Sequence, residues 1–100
     1  MEYLVHITFS WPPGMTSEDQ QRLVAAEAVR ARELAAEGRL KRLWRIPGQR
    51  ANWGIWKAKD ATELHAVLSS LPMFPHLTAT VHALATHPND PASWIEETSR

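Results

Sequence analysis

Apolar residues along this chain recur with a strand period of two in some stretches and a helix period of about 3.6 in others. The order of these stretches restricts the fold more than any other feature. Tyr3, Val5, Ile7 and Phe9 fall on one side of an extended segment, with Leu4, His6 and Thr8 on the other. Trp11-Pro12-Pro13-Gly14 ends that strand, because prolines cannot donate to a ladder. From Glu18 to Glu37 there is no Gly or Pro, and good helix formers dominate. Thr16 or Ser17 can cap this helix, and Glu18 and Asp19 suit its first turn. Leu23, Val24, Ala28, Ala31, Leu34 and Ala35 form its apolar stripe, and Gly38 stands where it should stop. Leu40 to Ile46 and Ala51 to Trp56 read as two strands about Pro47-Gly48-Gln49-Arg50, a hairpin. Asp60-Ala61-Thr62-Glu63 has capping-box spacing, and a short helix follows with Leu64, Val67, Leu68 and Leu71 on one face. Pro72 and Pro75 close it, and Thr78 to Ala85 alternates again as the last strand.

The order strand, helix, strand, strand, helix, strand predicts an α+β, ferredoxin-like (βαββαβ) domain over residues 1–100. Its four-stranded antiparallel sheet would carry both helices on one face. The Pro-rich tail, about 87–100, should be extended and pack on a neighbouring subunit through Trp94 and Ile95. The chain covers only one sheet face by itself, so a homo-oligomer is expected.

Bulk properties exclude several functions. Eleven Lys plus Arg balance eleven Asp plus Glu, so no net field draws nucleic acid or an anionic membrane. The absence of cysteine removes disulfides, thiolate zinc sites and iron–sulfur clusters. No basic-apolar leader and no apolar run of about 20 residues appears, which sets a cytoplasmic expectation. The five tryptophans, Trp11, Trp44, Trp53, Trp56 and Trp94, are many for a core of this size. They suit an interface or a flat ligand site, and equally a core with surface scatter. His6 and His82 are expected to share the open sheet face, but no carboxylate spacing completes a metal set. Phosphate loops, zinc motifs and nucleophile elbows are absent.

Three segments carry a resemblance. Leu43-Trp44-Arg45-Ile46-Pro47-Gly48 is followed by Ala51-Asn52-Trp53; Leu64-His65 and Leu68 lead into Leu71-Pro72-Met73-Phe74-Pro75; His87-Pro88 lies past the last strand. With the Pro12-Pro13-Gly14-Met15 turn and Ala26-Glu27 in the long helix, the chain resembles the muconolactone delta-isomerase family from Met1 to Asn89. That resemblance implies ferredoxin-like subunits assembled from dimers into a ring-like decamer. It also implies a role in the catechol branch of aromatic catabolism. The reaction would be a 1,3 proton shift turning muconolactone into the 3-oxoadipate enol-lactone, with no metal or organic cofactor.

Such chemistry needs a base for a ring proton, donors for the dienolate, a proton return, and a cation for the substrate carboxylate. Glu27 borders the buried stripe of the first helix and matches a family Glu, which makes it the candidate base. The other reading pairs it with Arg30 or Arg32 on the helix surface. Arg45 is a candidate for the substrate carboxylate or the enolate oxygen, against a plain strand-surface arginine. Trp44, Trp53 and Phe74 are candidate walls for a flat lactone, with core packing as the alternative. Asn52 is a candidate donor to a lactone oxygen, or a structural turn residue. Three positions depart from the family: Ala28 stands where Lys is common, Arg50 where Tyr is, and Trp53 where Ala-Asn-Tyr has its Tyr. Arg50 is thus a candidate source of the charge that Ala28 lacks. These departures keep a second reading open, an oligomeric relative that acts on or binds another aromatic breakdown product.

Overall fold

The computed structural model describes residues 1–95. Strand β1 (Glu2–Phe9) is followed by helix α1 (Ser17–Ala36), the hairpin β2 (Leu40–Arg45) and β3 (Ala51–Lys57), helix α2 (Ala61–Ser69), a 3-10 turn (Phe74–His76), β4 (Leu77–Leu84) and a second 3-10 turn (Pro91–Ser93), so the described part of the tail turns where an extended segment was expected. The sheet order is β2-β3-β1-β4, and the three ladders are antiparallel. This is the ferredoxin-like arrangement expected from the periodicities.

Local chemistry sets the element ends. The Thr16 side chain caps α1 by accepting from the Asp19 N–H (3.1 Å), and Asp60 caps α2 through the Glu63 N–H (2.9 Å). Glu63 does not close the expected reciprocal box on Asp60; it accepts instead from the Lys59 N–H (3.2 Å) and pairs with Arg39. Gly38 follows α1 at φ +78°, and Gly48 turns the hairpin at φ +79°, both in the left-handed region that favours glycine.

The register divides the side chains between two faces. Ile7 stands beside Asn52 and Ala79, Val5 beside Gly54 and Val81, and Tyr3 beside Trp56 and Ala83. On this helix-covered face Tyr3, Val5, Ile7 and Trp56 join Leu34, Leu64, Val67, Leu68 and Leu71 in the core. The core takes Leu64, Val67 and Leu68 of α2 and also Leu71, which was expected on the same helix face but lies just past its end. It takes less of α1 than expected: Leu34 is 1% exposed, whereas Val24 is 53% exposed and Ala28 is also exposed. An alanine-rich stripe offers little reach, and the middle of α1, at Val24, Glu27 and Ala31, borders a space above the sheet.

One irregularity shapes that space. The β2 register shifts between Leu40 and Arg42, a bulge at Lys41. Leu40 stands opposite Trp56, Leu43 opposite Gly54 and Arg45 opposite Asn52. Leu40 and Leu43 are three apart in sequence, yet the inserted residue puts both on the helix side, and Arg45 with them.

Candidate active site

The space between α1 and the sheet is a cavity of about 330 Å³, within the range of small-ligand sites. Val24, Glu27 and Ala31 of α1 form its roof, and Ile7, Asn52 and Trp56 lie on the strands beneath. Leu43, Trp44 and Arg45 bound it at the β2 edge, and Leu71 and Met73 at the far side. The walls are mainly apolar, with a few polar groups converging on them.

Glu27 is the carboxylate among these lining residues. Its Oε1 accepts a hydrogen bond from the Met73 N–H (3.1 Å). That N–H is available because the chain between α2 and the 3-10 turn runs in tight turns, Phe74 N–H to the Leu71 carbonyl (2.9 Å) and His76 N–H to the Met73 carbonyl (2.8 Å). Burial raises the Glu27 pKa above its ordinary value of 4.5, and the Met73 hydrogen bond opposes part of that rise. The alternative of a surface pair is overturned for Arg30, whose guanidinium binds Glu33 (3.1 Å) and the Ser70 hydroxyl (3.0 Å). Arg32 is exposed, and the partner of Glu27 is the Met73 N–H.

The other candidates separate into two groups. Arg45, Asn52 and Trp44 border the cavity with Glu27. Arg45 and Asn52 are cross-strand partners on the helix side. Trp44 pairs in register with Trp53, and its ring carries the Arg42 guanidinium 4.6 Å from the centroid. Trp53, Arg50 and Phe74 lie outside the cavity. Trp53 is in register with His6, so it projects from the open face, where its ring centroid is 4.7 Å from that of His6 and 6.5 Å from that of His82. Arg50 is exposed in the hairpin turn, and its carbonyl accepts from the Phe9 N–H (3.1 Å). Phe74 packs edge-on against His65 (6.0 Å) in a separate groove along β4.

Trp56 borders the cavity, although the residue types alone drew attention to Trp53. Strand parity was the available signal: Asn52, Gly54 and Trp56 share one face of β3, and Trp53 takes the other. Two buried polar atoms at the cavity have no protein partner, Asn52 Oδ1 and Trp56 Nε1. Among the described residues, no group of three or more His, Asp or Glu side chains is arranged to hold a metal ion.

These features define a ferredoxin-like α+β protein with one half-dry carboxylate, one arginine and unpaired polar atoms around an apolar cavity. The family model for muconolactone delta-isomerase matches residues 1–90. The chain belongs to that family. It is 36% identical over 89 residues to a muconolactone delta-isomerase of Cupriavidus pinatubonensis, covering 89% of this chain and 97% of the relative. It is 37% identical over 87 residues to muconolactone delta-isomerase 2 of Acinetobacter lwoffii, covering 87% and 91%. A crystal structure of muconolactone isomerase superposes with a TM-score of 0.82 at 33% identity, covering 90% of this chain and 94% of the other. A 5-chloro-2-hydroxyhydroquinone dehydrochlorinase of Burkholderia phenoliruptrix shares the fold at 15% identity, with a TM-score of 0.65 and coverage of 87% and 96%.

Proposed function

We propose that the protein is an isomerase acting on muconolactone or a closely related unsaturated lactone acid in aromatic catabolism, with Glu27 as the proton carrier. The observation that carries this reading is a carboxylate raised in pKa by burial, fixed by a backbone N–H in an apolar cavity that also holds Arg45. Its relatives named as muconolactone delta-isomerases cover nearly the whole chain.

The chemistry follows from the groups at hand. With Oε1 occupied by Met73, Oε2 takes the proton from the ring carbon that bears the acetate side chain. The electron pair of that C–H bond moves into the ring, the double bond shifts, and charge collects on the lactone carbonyl oxygen. The protonated Glu27 then gives its proton to the carbon next to that carbonyl, which completes the 1,3 shift and restores the carboxylate. One group serves both halves because Glu27 and Arg45 are the ionisable side chains among the described lining residues, and a guanidinium does not release its proton. Desolvation suits this double task, since it brings the carboxyl pKa nearer the working pH. Arg45, at the exposed β2 edge, holds the substrate carboxylate and Asn52 contacts the lactone; Trp44 borders the cavity from the edge strand, but its register with Trp53 turns its ring to the open face. Trp53, Arg50 and Phe74 contribute to a site only where a neighbouring copy brings them to it.

The reading includes a cytoplasmic homo-oligomer of up to ten chains. The uncovered sheet face with His6, Trp53 and His82 supports it, as do the exposed Val24 and Val29 on α1. No described helix is long and apolar enough to cross a membrane.

The test is turnover of muconolactone followed by ultraviolet absorbance. The wild-type protein should convert it without added metal, and Glu27→Gln should lose about 10³-fold in kcat. Equal rates for the two would remove Glu27 from the reaction.

A further inference from the structure

Trp56 is 2% exposed, and its indole N–H is buried without a partner. A buried donor left unpaired is costly, and proteins keep few of them. Of the three ring atoms that an indole adds to a phenyl ring, two are carbons that packing can use; the nitrogen carries a donor that packing alone leaves unsatisfied. The side chain borders the same cavity as Glu27, Arg45 and Asn52.

Gly54 is tied to this placement. It sits two residues before Trp56 on the same face of β3, and its backbone is not in the left-handed region, so conformation does not require glycine. Space does. A Cβ at Gly54 would stand 2.7 Å from Trp56 Nε1, 3.2 Å from Leu43 Cδ1 and 3.3 Å from the Arg42 carbonyl oxygen. The indole N–H end therefore lies over the bare backbone of Gly54, where it meets the Leu43 side chain. Leu43, half exposed on the edge strand, lies beside that same point and also borders the cavity.

The cavity has a direction. Arg45 is exposed at the β2 edge, and Trp56 is buried within. A lactone acid entering it keeps its carboxylate, the group dearest to desolvate, against Arg45 at the rim. Its neutral carbonyl then points inward. Charge develops on that oxygen only after the ring proton leaves, and a donor awaiting it there acts mainly on the transition state.

We propose that Trp56 contacts substrate, its indole N–H donating to the lactone carbonyl oxygen, and that position 54 is glycine to leave room for the indole. The proposal deepens the isomerase reading and rests on it for the identity of the oxygen.

Two measurements on the full chain test it. The first is muconolactone kinetics of Trp56→Phe, which keeps an aromatic ring and removes the donor, beside Gly54→Ala, which displaces the indole. Both should lower kcat by about 10²-fold with a smaller change in KM. The second reads the indole N–H resonances of nitrogen-15-labelled protein during titration with a tetronate, a planar five-membered lactone enolate. The resonance missing from Trp56→Phe identifies Trp56, and it should move downfield further than those of the other tryptophans. Wild-type turnover with kcat unchanged in Trp56→Phe, or tetronate binding that leaves the Trp56 resonance in place, overturns the proposal and spares the isomerase reading. Absent turnover with a shifted Trp56 resonance overturns the isomerase reading and supports the indole as an enolate donor. Neither turnover nor tetronate binding overturns both.

Discussion

At the scale of single residues, the site depends on where one carboxylate loses its water. Glu27 is neither fully buried nor paired with a cation; its rise in pKa comes from desolvation, opposed by the Met73 N–H. The consequence for stability has a definite sign. A carboxyl whose folded pKa is raised binds its proton more tightly in the folded chain, so its ionisation opposes folding as pH rises from the ordinary 4.5 through the folded pKa. Below that window the group is protonated in both states and the penalty is gone. Glu27→Gln keeps an oxygen for Met73 and has no charge to desolvate. Its melting temperature should exceed the wild-type value near neutral pH, and the difference should shrink toward zero in acid. Thermal unfolding across pH measures this; a variant less stable than wild type at neutral pH would mean the carboxylate is a structural partner.

At the scale of elements, strands, helices and caps were legible because each is written within a few residues. The alternation of Tyr3 to Phe9 and the caps at Thr16 and Asp60 are of this kind. The Lys41 bulge was not legible, since two strands must pair before an extra residue has meaning. It decides that Arg45 faces the helices. The contact between Glu27 and Met73 was equally hidden, because it joins α1 to a turn 46 residues away. The parity of β3 stands in the sequence: neighbours on a strand face opposite ways, so Asn52 and Trp53, both site candidates, do not line one cavity within a single chain. The start of α2 gives a prediction with the opposite sign to that of Glu27. Glu63 has its pKa lowered, first by the Lys59 N–H and further by Arg39. Its stabilisation is present above the ordinary 4.5 and is lost as pH falls through the folded pKa. Glu63→Gln should therefore melt below wild type at neutral pH, with the gap closing in acid; a gap independent of pH would assign the loss to packing.

At the scale of the whole molecule, the chain leaves much of its apolar surface uncovered. Trp44 and Trp53 are cross-strand neighbours on the open face, and Trp94, 63% exposed, lies beyond β4 with its indole N–H on the Asn89 carbonyl (3.3 Å). One sheet face and half a helix in water are a poor end state for 100 residues. Light scattering should give a multiple of the single-chain mass, and Trp53→Asp should reduce it; a wild-type monomer would contradict the oligomer. The cavity lies on the other side of the sheet, so the chemistry of Glu27 can be judged on its own. The most direct measurement is the pH dependence of kcat/KM for muconolactone. The proton-carrier role predicts an acid limb with its midpoint above the ordinary 4.5, and no such limb in the residual rate of Glu27→Gln. An acid limb that persists unchanged in Glu27→Gln would contradict it.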